Sequence, residues 1–158
     1  GPWYYEMQEL GFNFRIPDIN CALARSQLRK LDAFLERRRE IAARYHEELE
    51  GLPYLSLPAP AEVEESAWHI YGVHIDFPAL GKSRRRVTAE LAERGVGTQV
   101  HYYPVPLQPY YRHRFGFRPG EFPAAERHYE KTLTIPLFPA MTDGEVGRVI
   151  EALAEALR

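Results

Sequence analysis

Apolar positions along the chain fall into two kinds of spacing, and together they predict most of its elements. From Met141 onward, Val146, Val149, Ile150, Leu153 and Leu157 recur three and four residues apart, the period of one face of a helix. Thr142 followed by Glu145 forms a capping box in front of that stripe, and Met141 with Val146 can form the hydrophobic staple. A second helical pattern runs from Asp18 to Glu50, through Leu28, Leu31, Leu35, Ile41 or Ala42, Tyr45 and Leu49. Gly51 and Pro53 stand where a C-cap and a breaker belong. At 1.5 Å per residue such a helix is about 45–50 Å long. That exceeds the needs of a small domain and suggests an element connecting two bodies.

Alternation with a period of two marks three further segments as strands. In Trp68–Phe77, His69, Tyr71, Val73 and Ile75 share one face, opposite Trp68, Ile70, Gly72 and His74. In Gly97–Tyr103, Gln99 and His101 alternate with Thr98, Val100 and Tyr102, so one face can pack while the other offers polar groups to a cleft. Leu133–Leu137 is the third, and Pro136 makes it an edge. Helices are predicted over Ser83–Arg94, with Gly95 as C-cap, and over Phe122–Thr132, with Pro123 in the first turn. Residues 51–66 form a Pro- and Glu-rich connection, and Tyr110–Gly120 a cationic, aromatic loop. The predicted fold class is α+β: a long connecting helix, then a small sheet of about three strands with helices packed on it. Residues 1–17 form an irregular segment, 18–50 the connecting helix and 51–158 a small C-terminal α+β domain.

Composition narrows the function more than the fold. At 158 residues and a net charge of −2, nothing points to nucleic acid or an anionic membrane. The single cysteine, Cys21, excludes an internal disulfide and suits a reducing cytoplasm. No run reaches the roughly 18 apolar residues of a bilayer span. The chain starts Gly1-Pro2-Trp3-Tyr4-Tyr5, and large aromatics at a terminus suggest a piece of something longer. Arg37-Arg38-Arg39 is expected to face solvent. Arg84-Arg85-Arg86 opens a helix, where the dipole disfavours cations, so either a bound anion or an exposed cluster is expected.

The chemistry-bearing residues do not assemble a reaction by themselves. The histidines at 46, 69, 74, 101, 113 and 128 have no zinc-type spacing, and no Gly-rich phosphate loop is present. Lys30, Lys82 and Lys131 read as surface positions, whereas a Schiff-base lysine is desolvated or set beside another cation. Neither catalytic nor metal-ligating residues are assigned. Two stretches nonetheless look built to hold a ligand. In Gly11-Phe12-Asn13-Phe14-Arg15, an extended backbone puts Asn13 and Arg15 on one side and the two phenylalanines on the other. Gly95–Tyr111, GVGTQVHYYPVPLQPYY, combines three prolines, two Tyr-Tyr pairs, a histidine and two glutamines at low charge. Its prolines lower the ordering cost of presenting those side chains.

Several segments, in order along the whole chain, resemble one family. They are Trp3–Arg15, Asp18-Ile19, Ala22-Leu23, Ser26–Leu28, Ser66–Tyr71, Gly95–Gly97, His101–Pro104, Gln108–Tyr111 and Leu137–Thr142. They resemble the C-terminal half of the DegT/StrS-type pyridoxal-phosphate nucleotide-sugar aminotransferases. The Trp-Tyr-Tyr-Glu start and Gln-Pro-Tyr-Tyr segment look closest to the pseudaminic acid branch, the UDP-4-amino-4,6-dideoxy-N-acetyl-beta-L-altrosamine transaminases. The resemblance implies the small C-terminal domain of a fold-type-I aminotransferase, with residues 1–17 completing its large domain and dimer interface. It implies glutamate as amino donor, a 4-keto-6-deoxy nucleotide sugar as acceptor, pyridoxal 5'-phosphate as cofactor and a homodimer. The cofactor's lysine belongs to a segment upstream of the matched region, so this chain alone is expected to be inactive and to carry no covalent cofactor.

By the same resemblance, Asn13 hydrogen-bonds the cofactor phosphate of the other subunit, an apt task for an amide donor, and Arg15 is near enough to help. His101, Tyr102, Tyr103 and Pro104 line the sugar-nucleotide site. Two other readings stay open: a non-catalytic nucleotide-sugar-binding or partner module derived from this family, and a member with altered chemistry such as a dehydratase.

Overall fold

In the computed structural model, residues 12–59 and 66–158 are described; the aromatic start Trp3–Gly11 lies outside them. The chain divides into two units, Gly1–Asp32 and Ala33–Arg158. In the first, α1 spans Asp18–Leu28, entered through Pro17 and with Asp18 favourably placed in its first turn. None of its residues is buried.

The single helix expected over 18–50 is two helices. Lys30 N–H donates to Gln27 C=O at 2.9 Å, a tight i→i+3 turn that interrupts the α-helical ladder, and α2 restarts as Leu31–Leu49. Neither glycine nor proline lies in Gln27–Asp32, and the turn keeps Leu28 and Leu31 three residues apart. The apolar period therefore runs through a break it cannot reveal. At 19 residues, α2 is about 28 Å long, not 45–50 Å.

In the unit Ala33–Arg158, the core forms between helices and one face of a sheet. The strands are β1 (Leu55–Ser56), β2 (Tyr71–Ile75) and β3 (Thr132–Ile135), antiparallel in the order β1-β2-β3. Tyr71 pairs Ile135, and Val73 pairs Leu133. The side chains of Tyr71, Val73, Ile75, Leu133 and Ile135 point inward and are essentially inaccessible. They meet Ile41, Ala42, Tyr45 and Leu49 of α2, Val87 and Leu91 of α4 (Arg84–Glu93), and the stripe of α7 (Asp143–Ala156). Burying each such side chain is worth roughly 1.5–3 kcal/mol. The Tyr45 hydroxyl donates to Pro136 C=O at 2.7 Å, and burial pushes its phenol well above its ordinary value.

The three-stranded expectation holds with different members. β1 comes from the Pro-rich connection, and the predicted strand Gly97–Tyr103 contributes a single bridge, Gln99 to Thr134. The cause lies in its partner strand. Continuing the pairing one way sets Gly97 against Pro136, which has no N–H to give. The other way sets His101 against Thr132, whose N–H already donates to His128 C=O at the end of α6 (Pro123–Lys131). Two short helices were also missed. α3 (Phe77–Leu80) is capped by Asp76, which accepts from Ala79 N–H. α5 (Pro109–Phe115) takes up the first half of the predicted loop, starting one residue before it, and closes on Gly116 at φ 76°.

The helix ends follow sequence chemistry closely. Ser83 caps α4 by accepting from Arg86 N–H, and Gly95 takes φ 76° just beyond it. Both halves of the Thr142–Glu145 capping box are formed. Thr142→Ala should lower the unfolding free energy by about 1 kcal/mol, read as a lower urea midpoint at unchanged slope.

Candidate functional site

The sheet face turned away from the core carries the polar groups. Gly72 and His74 of β2 lie opposite Thr134 and Thr132 of β3, and Thr132 and Thr134 are the buried polar residues of the described chain. His101 covers them from the loop that leaves Gln99. Its Nδ1 lies 2.9 Å from Thr134 Oγ1, which leaves Nε2 as the ring nitrogen available to a ligand. With Thr98, Gln99, His69, Thr134 and Pro136, His101 lines a cleft of about 210 Å³. Gln99 and His101 thus share a cleft, as the alternation predicts, although only one bridge of the strand forms.

The other three residues of the predicted sugar wall are placed differently. Tyr102 is 65% exposed and sets its ring edge-on to His101 at 4.6 Å. Tyr103 packs edge-to-face on Tyr129 at 5.2 Å. Pro104 is buried and starts the 3-10 turn Val105–Leu107. Of the four, only His101 lines the cleft.

In the unit Gly1–Asp32, the Phe12 and Phe14 rings meet edge-to-face at 5.7 Å. Arg15 Nε donates to Asn13 Oδ1 at 3.2 Å, both side chains being exposed. The amide NH2 and the guanidinium are donors, and a phosphate oxygen is an acceptor that suits them. Donors of this kind are what a pyridoxal cofactor's phosphate would need.

Some residues turn out to matter that the sequence did not mark. Arg37 donates to Met141 C=O at 2.8 Å and to Asp143 at 2.7 Å, and Arg38 donates to Trp68 C=O at 2.6 Å and His69 C=O at 3.2 Å. The expectation that this triplet simply faces solvent is corrected for both: Arg38 fixes the turn that brings His69 to the cleft. Arg84 also has an internal partner. It donates to Tyr129 C=O and lies over the Tyr129 and Phe77 rings at 4.8 and 5.6 Å. Arg86 pairs with Glu90 at 2.6 Å. His128 is the largest omission. Its ring bonds His74 at 2.8 Å and the carbonyl of His101 at 3.2 Å, partners 54 and 27 residues away with no local spacing to announce them. Among the described residues, no group of three or more metal-ligating side chains occurs, and no helix is long and apolar enough to cross a membrane.

The family model of the DegT/DnrJ/EryC1/StrS aminotransferases matches residues 2–154. The chain belongs to this family. SpsC of Bacillus subtilis (strain 168), a spore coat polysaccharide biosynthesis protein, is 38% identical over 159 residues, covering 100% of this chain and 41% of SpsC. The aminotransferase TlmJ of Streptoalloteichus hindustanus superposes with a TM-score of 0.82 at 33% identity, over 98% of this chain and 40% of TlmJ. Spr1654 of Streptococcus pneumoniae, solved in a PLP form, gives 0.82 at 29% identity, over 98% and 39%. PseC of Helicobacter pylori, an aminotransferase of pseudaminic acid biosynthesis, gives 0.84 at 24% identity, over 98% and 41%, a likeness of fold. This member of the family therefore spans about 40% of the length of the relatives it matches.

Burial, with His128 and Lys131 nearby, lowers the His74 pKa below its ordinary value of 6.5. The folded state of this family member thus favours neutral His74. The resulting stability is present above the unfolded value and is lost as pH falls through the lower folded one. The melting temperature should drop on acidification below about pH 6.5, and His74→Gln should flatten that dependence.

Proposed function

We propose that this chain is the C-terminal part of a pyridoxal-phosphate-dependent aminotransferase that moves an amino group from glutamate to a 4-keto-6-deoxy nucleotide sugar, acting as a homodimer. The observation that carries this reading is the placement of His101, pinned at Nδ1 and lining a cleft, in a chain whose family match covers residues 2–154. When bound, the cofactor supplies the electron sink for amino exchange. Asn13 and Arg15 hold the cofactor phosphate of the opposite subunit, the amide by its NH2 and the guanidinium by its charge. His101 meets the sugar nucleotide through Nε2. Tyr102 adds an exposed hydroxyl, while Tyr103 and Pro104 shape the loop that carries both. Intermediates on the way to pseudaminic acid are the first substrates to test, prompted by the segments at Trp3–Glu6 and Gln108–Tyr111.

The chain is inactive alone because none of its lysines suits the cofactor. Lys82 holds Glu90 at 3.0 Å and Ala156 C=O at 2.9 Å. Lys131 lies 3.9 Å from Asp76, and Lys30 stands exposed in the turn before α2. A Schiff-base lysine needs desolvation or a cationic neighbour to be nucleophilic.

Incubation of the chain with pyridoxal phosphate, borohydride reduction and mass measurement should give no stoichiometric adduct; labelling of one lysine overturns the inactive-alone reading. Joined in frame to a large domain of the family, the protein should retain cofactor, and Asn13→Ala should weaken that retention about 10- to 100-fold, the worth of a hydrogen bond to a charged group. Unchanged affinity would remove the phosphate role.

A further inference from the structure

We infer that His128, itself oriented by His74, is a positioning residue that holds His101 in the wall of the cleft. The inference about placement rests on geometry alone; its meaning for sugar binding rests on the function proposed above. His101 leaves the sheet one step after Gln99, where a continuing ladder would bond it to Thr132. Thr132 N–H instead goes to His128 C=O, and the His101 carbonyl receives His128 Nε2 at 3.2 Å. One residue of α6 thereby takes up, with its backbone and its ring, two of the four groups that the interrupted ladder would leave unpaired: the Thr132 N–H and the His101 carbonyl. A side chain stands in for a strand.

The hydrogen-bond roles around it are forced. A carbonyl only accepts, so His128 Nε2 carries hydrogen. In the neutral ring Nδ1 is then an acceptor. It faces His74 Nε2 at 2.8 Å, which must therefore carry hydrogen and donate. Both rings are fixed as Nε2–H tautomers by a chain that ends on a main-chain oxygen. With its carbonyl held by His128 and its Nδ1 by Thr134 Oγ1, His101 is fixed at backbone and ring together. That leaves Nε2 aimed by structure rather than selected from rotamers on binding, which reduces the ordering cost of recognition.

His74 and His128 belong to different elements, β2 and α6, and neither lines the cleft of His101. Their effect on a ligand there is indirect. Glutamine in place of His128 retains an amide donor, whereas phenylalanine keeps a planar ring and loses the donor.

The test is a long-range nitrogen–proton correlation spectrum of the six histidine rings in the nitrogen-15-labelled chain at pH 8, with UDP titrated afterwards. In the unsubstituted chain His74 and His128 should both show the Nε2–H pattern. His128→Phe should shift the His101 amide and ring signals, and His128→Gln should return them toward the starting positions. If the phenylalanine variant fails to fold, His74→Leu provides the second arm: His128 keeps its Nε2–H but loses the donor that orients its ring at Nδ1, and the His101 amide should move. Unchanged His101 signals in a folded His128→Phe or His74→Leu chain, or an Nδ1–H pattern for His128, overturn the inference. UDP binding is read separately. Where it occurs, His128→Phe should weaken it and His128→Gln should restore it. An intact tautomer pattern with no response to UDP counts against the sugar-nucleotide reading while the placement of His101 stands.

Discussion

The pairing between β2 and β3 is the constraint on which the rest depends, because it decides both where the core closes and where the chain may leave the sheet. Its inner side chains supply the apolar floor against which α2, α4 and α7 pack. Its outer face is polar, with Thr132 and Thr134 set against Gly72 and His74. Pro136 ends the available edge after Thr134, and Gln99 takes the one place left, with N–H to C=O distances of 3.1 and 2.8 Å in the two directions. The residues that follow Gln99, up to α6, must then find partners other than a strand. His101 finds them in Thr134 and His128, Tyr103 in Tyr129, and Pro104 in a 3-10 turn.

The core shows a similar economy around Tyr45 and Tyr71. Their rings meet edge-to-face at 5.2 Å, and Trp68 adds a third ring at 5.1 Å from Tyr71. Each buried hydroxyl is satisfied, Tyr45 by Pro136 C=O and Tyr71 by His46 Nδ1 at 2.9 Å. The Pro136 carbonyl and its missing N–H thus serve different neighbours. One anchors α2 to the sheet end, and the other stops the sheet. Arg37 and Arg38 reinforce the same side by holding carbonyls at Met141, Trp68 and His69.

Elements governed by short-range chemistry were legible in the sequence. The capping box at Thr142 and the glycine after α4 each rest on neighbours within a few residues, and both formed. The α+β class and the aminotransferase family were legible too, the latter from segments spread along the whole chain. Elements decided by a distant partner were not. Nothing within Gly97–Tyr103 reveals that Pro136 and a spent Thr132 N–H deny it a ladder, and nothing near Leu55 announces that β2 offers an edge. His101 and Gln99 were found because alternation survives a single bridge. His128 was not, because its role is set by residues on two other elements.

The single bridge at Gln99 also separates what must be kept from what can be altered. From Tyr102 to the start of α6 the chain contributes little to the sheet, being secured at His101 on one side and by Glu126 binding Gly120 and Phe122 N–H groups on the other. Length and sequence inside that span can change without shifting strand register so long as Pro104 and Leu107 stay buried. The fold thus carries a segment that can vary beside a fixed histidine, while most of the folding stability is drawn from elsewhere.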